Sequence, residues 1–282
     1  MRELYALKSV SAWSRMPNRI IDFHTHAFPD ALAHRAVAQL LSEAGEVRSF
    51  LDGKVSSLIA SMDANGVEAS VLCSIATKPS QFEPIFRWSQ QIASDRIIPL
   101  ASVHPQDPAA VEHIHQIAQS GLKGVKMHPY YQDFYLDDPN LYPLFEAIQA
   151  ERLLLTMHTG YDFAFDRIDR ATPKQIGDIV QRFPEMKLVA THLGAWQQWD
   201  DVQRYLLGKP IYMETSFSIE YLGVERVRRM LLEHSPEHLL FGTDSPWTDQ
   251  AATIAAHKSI ELPEEVQEKY FFENASKILG LS

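Results

Sequence analysis

Eight short apolar runs rich in β-branched residues, separated by helix-period segments, constrain this chain more than any other feature of its sequence. They are RIIDF (19–23), EASVLCSIA (68–76), IIPLASV (97–103), LKGVKM (122–127), LLLTM (153–157), KLVAT (187–191), PIYMET (210–215) and HLLFGT (238–243). Most are apolar throughout rather than strictly alternating, the pattern of parallel strands covered on both faces. The intervening segments, such as DALAHRAVAQLLSEA and PAAVEHIHQIAQSG, are long enough to form the return helices that parallel strands require. Eight such units predict a closed (β/α)8 barrel, with an open doubly wound sheet as the runner-up. No low-complexity linker interrupts the pattern, so residues 19–282 are expected to form one domain. Residues 1–18 are expected to be an extension or a docked arm, and Met16, opening MPNRIIDFHTH, is an alternative start.

Composition narrows the partners. A formal net charge of −10 without a cluster of lysine or arginine lacks the concentrated positive field that nucleic acid or an anionic membrane needs. A small-molecule substrate is the expectation, and a homo-oligomer is left open. The single cysteine, Cys73, rules out an intrachain disulfide and points to a reducing, cytoplasmic setting, where it would act as a small buried hydrophobe. No apolar run approaches the roughly 20 residues of a membrane helix. The N-terminus also lacks the continuous apolar stretch of a secretory signal.

In a barrel of this kind the reactive groups stand at the C-terminal ends of the strands. Those positions hold His24 and His26, Lys126 and His128, His158, His192 and Asp244. Residues two apart on a strand share a face, so His24 and His26 aim at one point. Imidazole with carboxylate is the ligand mix of catalytic zinc and related divalent ions. An H-x-H pair alone is weak evidence in a chain with 12 histidines. It is the ordered set that points to a metal. Lys126 reads as a site residue, with pairing to an acidic loop as its alternative, and His104 and His128, each before a proline, could line the pocket or cap turns. The other histidines fall in helical or strand-start patterns and read as core or surface residues.

The segments DFHTHAFPD, HTG, THLG and FGTDSPW resemble the amidohydrolase superfamily, in the branch of amidohydrolase-related proteins that includes aminocarboxymuconate-semialdehyde decarboxylase. The resemblance runs from about Arg19 onward. It implies a metal-dependent barrel with a single divalent ion, commonly zinc, held by His24, His26, His158 and Asp244. His192 would act beside the bound water as an acid, base or polarising group, and Asp244 would also accept and return a proton. GVKMHP is instead similar to members whose strand-four lysine is carboxylated and bridges two metals. If Lys126 behaves so, His158 and His192 would hold the second ion; otherwise Lys126 would bind a substrate anion.

Two catalytic readings follow, with hydrolysis of a small ester, lactone or amide by a metal-activated water expected over non-oxidative decarboxylation of a small carboxylic acid, aromatic acids included. A barrel that binds without turnover is the third. The loops PYYQDFYLDDP and GYDFAFDRIDRATP would line the pocket. His128, Tyr130, Arg167 and Trp247 are its candidate residues, with Arg170 a further candidate carboxylate binder.

Overall fold

All eight expected runs contain a strand in the computed structural model, which describes residues 19–45 and 47–281. The expected N-terminal arm, 1–18, lies outside the described residues. The order is β1 (Ile21–Thr25), α1 (Asp30–Ala44), α2 (Val55–Asn65), β2 (Ala69–Cys73), α3 (Phe82–Ile92), β3 (Ile97–Leu100), α4 (Ala110–Ser120) and β4 (Gly124–Met127). It continues through α5 (Tyr142–Ala150), β5 (Leu154–Met157), α6 (Pro173–Arg182), β6 (Lys187–Ala190), α7 (Trp199–Tyr205), β7 (Tyr212–Glu214), α8 (Ile219–Glu233) and β8 (Leu239–Leu240). Beyond the last strand come α9 (Gln250–Lys258), α10 (Glu264–Glu268) and α11 (Asn274–Leu279).

The strands pair in parallel as β1-β2-β3 and as β4 through β8. Bridges between Ala101 and Val125 and between Thr25 and Ser245 join the two ladders, so the sheet closes and the open arrangement is excluded. Alternate side chains enter different apolar clusters. On β5, Leu154 joins Ile21, Phe23, Val71, Val189 and Leu240, while Leu155 and Met157 join the larger cluster that packs the helices. Ile278 and Leu279 of α11 pack with the first cluster. The C-terminal strand ends then depart from apolar character, with Lys126, Thr156 and Glu214 buried there.

Local chemistry explains several boundaries. Thr172 accepts from the backbone of Gln175 and Gln175 reciprocates, a capping box that starts α6 with Pro173 at its first position. Gly66 and Gly121 end α2 and α4 in left-handed conformation. Gly124 begins β4 because a Cβ there would lie 2.5 Å from the Leu154 carbonyl oxygen, which allows the β4–β5 approach.

Candidate metal centre and active-site cavity

Pairing between β1 and β2 is irregular between Asp22 and Thr25, so strict alternation fails at this strand end. Asp22 turns to Gln250 on α9, whereas His24 turns into the barrel mouth. There the His24 Nδ1–H donates to Glu214 Oε1 at 2.9 Å, and the His26 Nδ1–H donates to the Cys73 carbonyl at 2.8 Å. Those partners leave each ring with its lone pair on Nε2. The two Nε2 atoms are 3.2 Å apart. Asp244 Oδ1 is 2.9 Å from that of His26 and 3.7 Å from that of His24.

Two imidazole lone pairs and a carboxylate oxygen converge here, an arrangement that a metal cation among them would stabilise. Asp244 Oδ1 is buried and makes no hydrogen bond, even at its 2.9 Å approach to His26. The donor set therefore fits a divalent ion, and His24, His26 and Asp244 offer their ligand atoms within mutual reach. Burial lowers the His24 imidazole to about 4, so it is neutral at physiological pH, as a ligand must be. Burial pushes the Asp244 carboxyl up, but His24, His26 and His192 beside it outweigh that and hold it far below the usual carboxylate range.

Glu214 orients this centre from the end of β7. Its Oε1 accepts from His24 Nδ1 and from the His192 backbone N–H at 2.9 Å, while Oε2 accepts from the Ser216 N–H at 2.8 Å. Burial would raise its carboxyl; His24 and His192 prevail and lower it to about 2. A Cβ on Gly242 would come within 2.2 Å of Glu214 Oε2, so glycine at that point of the strand-eight segment makes room for the carboxylate.

His192 and Asp244 both adopt left-handed backbone, with φ of 58° and 66°. Such geometry at non-glycine residues costs of order 1–3 kcal/mol and needs the surroundings to hold it. Asp244 N–H donates to the His24 carbonyl at 2.7 Å, and His26 N–H donates to that of Ser245 at 2.6 Å, interlocking the ends of β1 and β8. Trp199 Nε1 donates to the His192 carbonyl at 2.9 Å.

His158 stands beside His192, its Nδ1 3.1 Å from His192 Nε2. Its Nε2–H donates to the Tyr161 carbonyl at 2.9 Å, and its ring stacks on His128 with centroids 4.0 Å apart. Asp162 Oδ2 lies 3.2 Å from His128 Nε2 and 3.7 Å from His158 Nε2. Burial holds both imidazoles well below their usual value, and lowers His192 as well. Gly160, between His158 and Tyr161, has φ of 82°, and a Cβ there would lie 2.2 Å from the Trp196 nitrogen. The loops after β5 and β6 approach each other only because it is glycine.

Lys126 is almost wholly buried, its ammonium 3.4 Å from His24 Nε2. Among the described residues no carboxylate pairs with it. These groups line one end of a cavity of about 440 Å³, within the range for small-molecule sites. His128 and Trp247 line it too. Tyr130 is buried outside the lining, its hydroxyl donating to the Ile168 carbonyl at 2.5 Å. Arg167 is exposed, bonded to Gln197 and away from the cavity. Arg170 pairs with Asp133 at 2.8 Å, and His104 Nδ1 caps a turn by accepting from the Gln106 N–H at 3.2 Å. Glu214, Ser216 and Asp162 are site residues that the motif reading passed over. The signal for Glu214 was a lone acid closing the apolar run PIYMET.

A profile of the amidohydrolase family matches residues 21–281, and the chain belongs to that family. No curated protein matches it in a sequence search. Among solved structures, it resembles 5-carboxyvanillate decarboxylase from Sphingomonas paucimobilis (20% identity, TM-score 0.66, covering 94% of this chain and 99% of that one). An uncharacterised TIM-barrel protein from Bordetella bronchiseptica has a TM-score of 0.75 at 18% identity, covering 93% and 99%. The 5-carboxyvanillate decarboxylase of Novosphingobium aromaticivorans, complexed with manganese and a hydroxymethoxynitrobenzoic acid, has a TM-score of 0.67 at 17% identity, covering 93% and 96%. These likenesses bear out the barrel. They also correct the expectation of a hydrolase, since several of the similar solved structures are decarboxylases of aromatic acids. The strand-end motifs did not separate the two because both chemistries draw on the same metal donors. Manganese in the Novosphingobium structure likewise gives no support to zinc in particular.

Proposed function

We propose that this protein is a metal-dependent decarboxylase of a small aromatic carboxylic acid. The observation that carries the reading is Lys126, an almost wholly buried ammonium beside His24 with no carboxylate partner. A neutral ester, lactone or amide would leave that charge uncompensated, whereas an acid supplies its counterion. In the decarboxylases of similar fold, the substrate named is such an acid.

His24, His26 and Asp244 would hold the metal, with His158, from the end of β5 beside His192, as the further ligand. A divalent ion bound there would act as a Lewis acid toward a substrate oxygen. Lys126 orients the substrate carboxylate. As carbon dioxide leaves, the carbon–carbon bond breaks and its electron pair stays on the ring carbon, which takes one proton. His192, held by Ser216 and facing the cavity, supplies that proton; Asp244 accepts or returns one at the substrate's oxygen. The facing His158 and His192 nitrogens support a second ion as the alternative, with Lys126 carboxylated.

Manganese-loaded protein incubated with a panel of hydroxybenzoic acids in deuterium oxide should release carbon dioxide and return phenols with one deuterium at the vacated carbon. Hydrolysis of esters or lactones without carbon dioxide release from any acid would overturn the reading. A mass gain of one carbon dioxide on Lys126 would select the two-ion form.

A further inference from the structure

Charge in the cavity is confined to one end. The histidines, Lys126, Asp162 and Asp244 cluster at the strand ends, but the cavity continues away from them between α1 and α3. The lining residues that α1 and α3 themselves contribute carry no charged side chain. Ala36, Leu40 and Ala44 of α1 recur every fourth residue and so form one stripe, which is distinct from the core-facing pair Ala33 and Val37. Ile85 and Trp88 line the cavity from α3, whose Phe82 and Ser89 are buried in the fold. Ala36, Leu40, Ala44, Ile85 and Trp88 are half-buried, and Leu32 and Pro84 beside them in the lining are exposed, so all remain in reach of a ligand.

We propose that the substrate is an acid with an elongated apolar tail, alkyl or aryl, that lies between α1 and α3 while its carboxylate sits at Lys126. The inference rests on the carboxylic-acid reading above and adds to it the other end of the molecule. A single hydroxylated ring at the metal end would leave the stripe facing water. A tail removes that surface from water, and each buried methylene strengthens binding about fourfold. Because the groove and the metal donors line one continuous cavity, the tail is covalently part of the molecule that reacts.

The test uses manganese-loaded full-length protein and a homologous series of 3- and 4-alkylphenols, methyl to octyl, as product-like probes, with binding read by calorimetry and by tryptophan fluorescence. Affinity should climb about fourfold per methylene before levelling at the groove's length. Leu40→Arg and Trp88→Ala should flatten that climb, so the octyl-to-methyl affinity ratio falls at least tenfold, roughly the share of two or more methylenes. A flat or falling series in the unaltered protein, as expected of a groove filled by protein, would overturn the proposal. The two readings fail separately. Carbon dioxide release from short acids with a flat series sinks the tail alone, whereas a climbing series with no carbon dioxide release from alkyl-substituted acids sinks the decarboxylase.

Discussion

With the Nδ1–H groups of His24 and His26 donated to Glu214 and to the Cys73 carbonyl, both Nε2 atoms, 3.2 Å apart, are left to face a shared metal. Replacement of His24 by Ala or Asp244 by Asn should therefore reduce bound manganese to background after dialysis, measured by elemental analysis. His192→Ala should keep the metal and lower kcat by about 100-fold or more, the usual worth of a proton-transfer group. Equal metal loss in that variant would place His192 among the ligands of a two-ion site. Glu214→Gln should weaken metal binding by about 10–100-fold through misorientation of His24, and Gly242→Ala should do the same by displacing Glu214. Unchanged affinity in both would remove Glu214 from the site. At this scale the sequence singled out the candidate ligands but not their supports. Histidines at strand ends are conspicuous, whereas Glu214 has meaning only once the barrel brings the end of β7 within reach of His24. Arg167 illustrates the converse: a cation in a promising loop that points to Gln197 and Tyr161 instead.

Among the elements, the β1–β8 seam positions the metal loops and depends on a residue with no part in the chemistry. Asp22 accepts from the Thr243 N–H (2.9 Å) and hydroxyl (2.6 Å), from Gln250 (2.8 Å) and from the His24 N–H (3.3 Å). Asp22→Ala would leave these buried donors unsatisfied, at about 1–3 kcal/mol each before relaxation. The urea midpoint should fall by the equivalent of about 2–4 kcal/mol with an unchanged m value. A loss under about 0.5 kcal/mol, the range of ordinary surface substitutions, would show that the seam does not depend on it. The strands themselves were legible because parallel strands buried on both faces must be continuous apolar runs, and all eight were found. Their ends were less so: β8 spans only Leu239–Leu240, because the following residues leave the ladder to carry Asp244. The run PEEVQEKYFFENASKILG reads as one helix, yet it is α10 and α11 joined by a π-helical turn at Lys269–Glu273 that buries Tyr270 and Phe271. Periodicity cannot anticipate that, since the turn follows from packing against Phe241.

Over the whole molecule, the concentration of buried imidazoles couples stability to pH. Burial lowers His24 to about 4 and His257 to about 3, and depresses His128, His158, His192 and His234 as well. For each, the unfolded chain binds a proton near pH 6.5 that the native chain refuses, so stability is complete above that pH and falls as acid is added. Asp22 acts in the opposite sense. Burial raises it to about 6, so between about 4 and 6 the native chain takes up a proton that the unfolded chain does not. Six histidines outweigh one aspartate, and the lowered carboxyls of Glu214 and Asp244 extend the loss below pH 4.5. The melting temperature of metal-free protein should therefore decline from pH 6.5 to pH 4.5, with the net uptake on unfolding exceeding one proton. His257 lies outside the metal centre, bonded to Tyr270 at 2.8 Å, so His257→Gln should reduce that uptake by about one proton without altering metal affinity. Manganese should steepen the decline, since the protons that unfold the chain also compete for its ligands. A melting temperature constant across this interval would mean that the histidines are charged in the native state. That outcome would also remove the neutral imidazoles on which the metal centre depends.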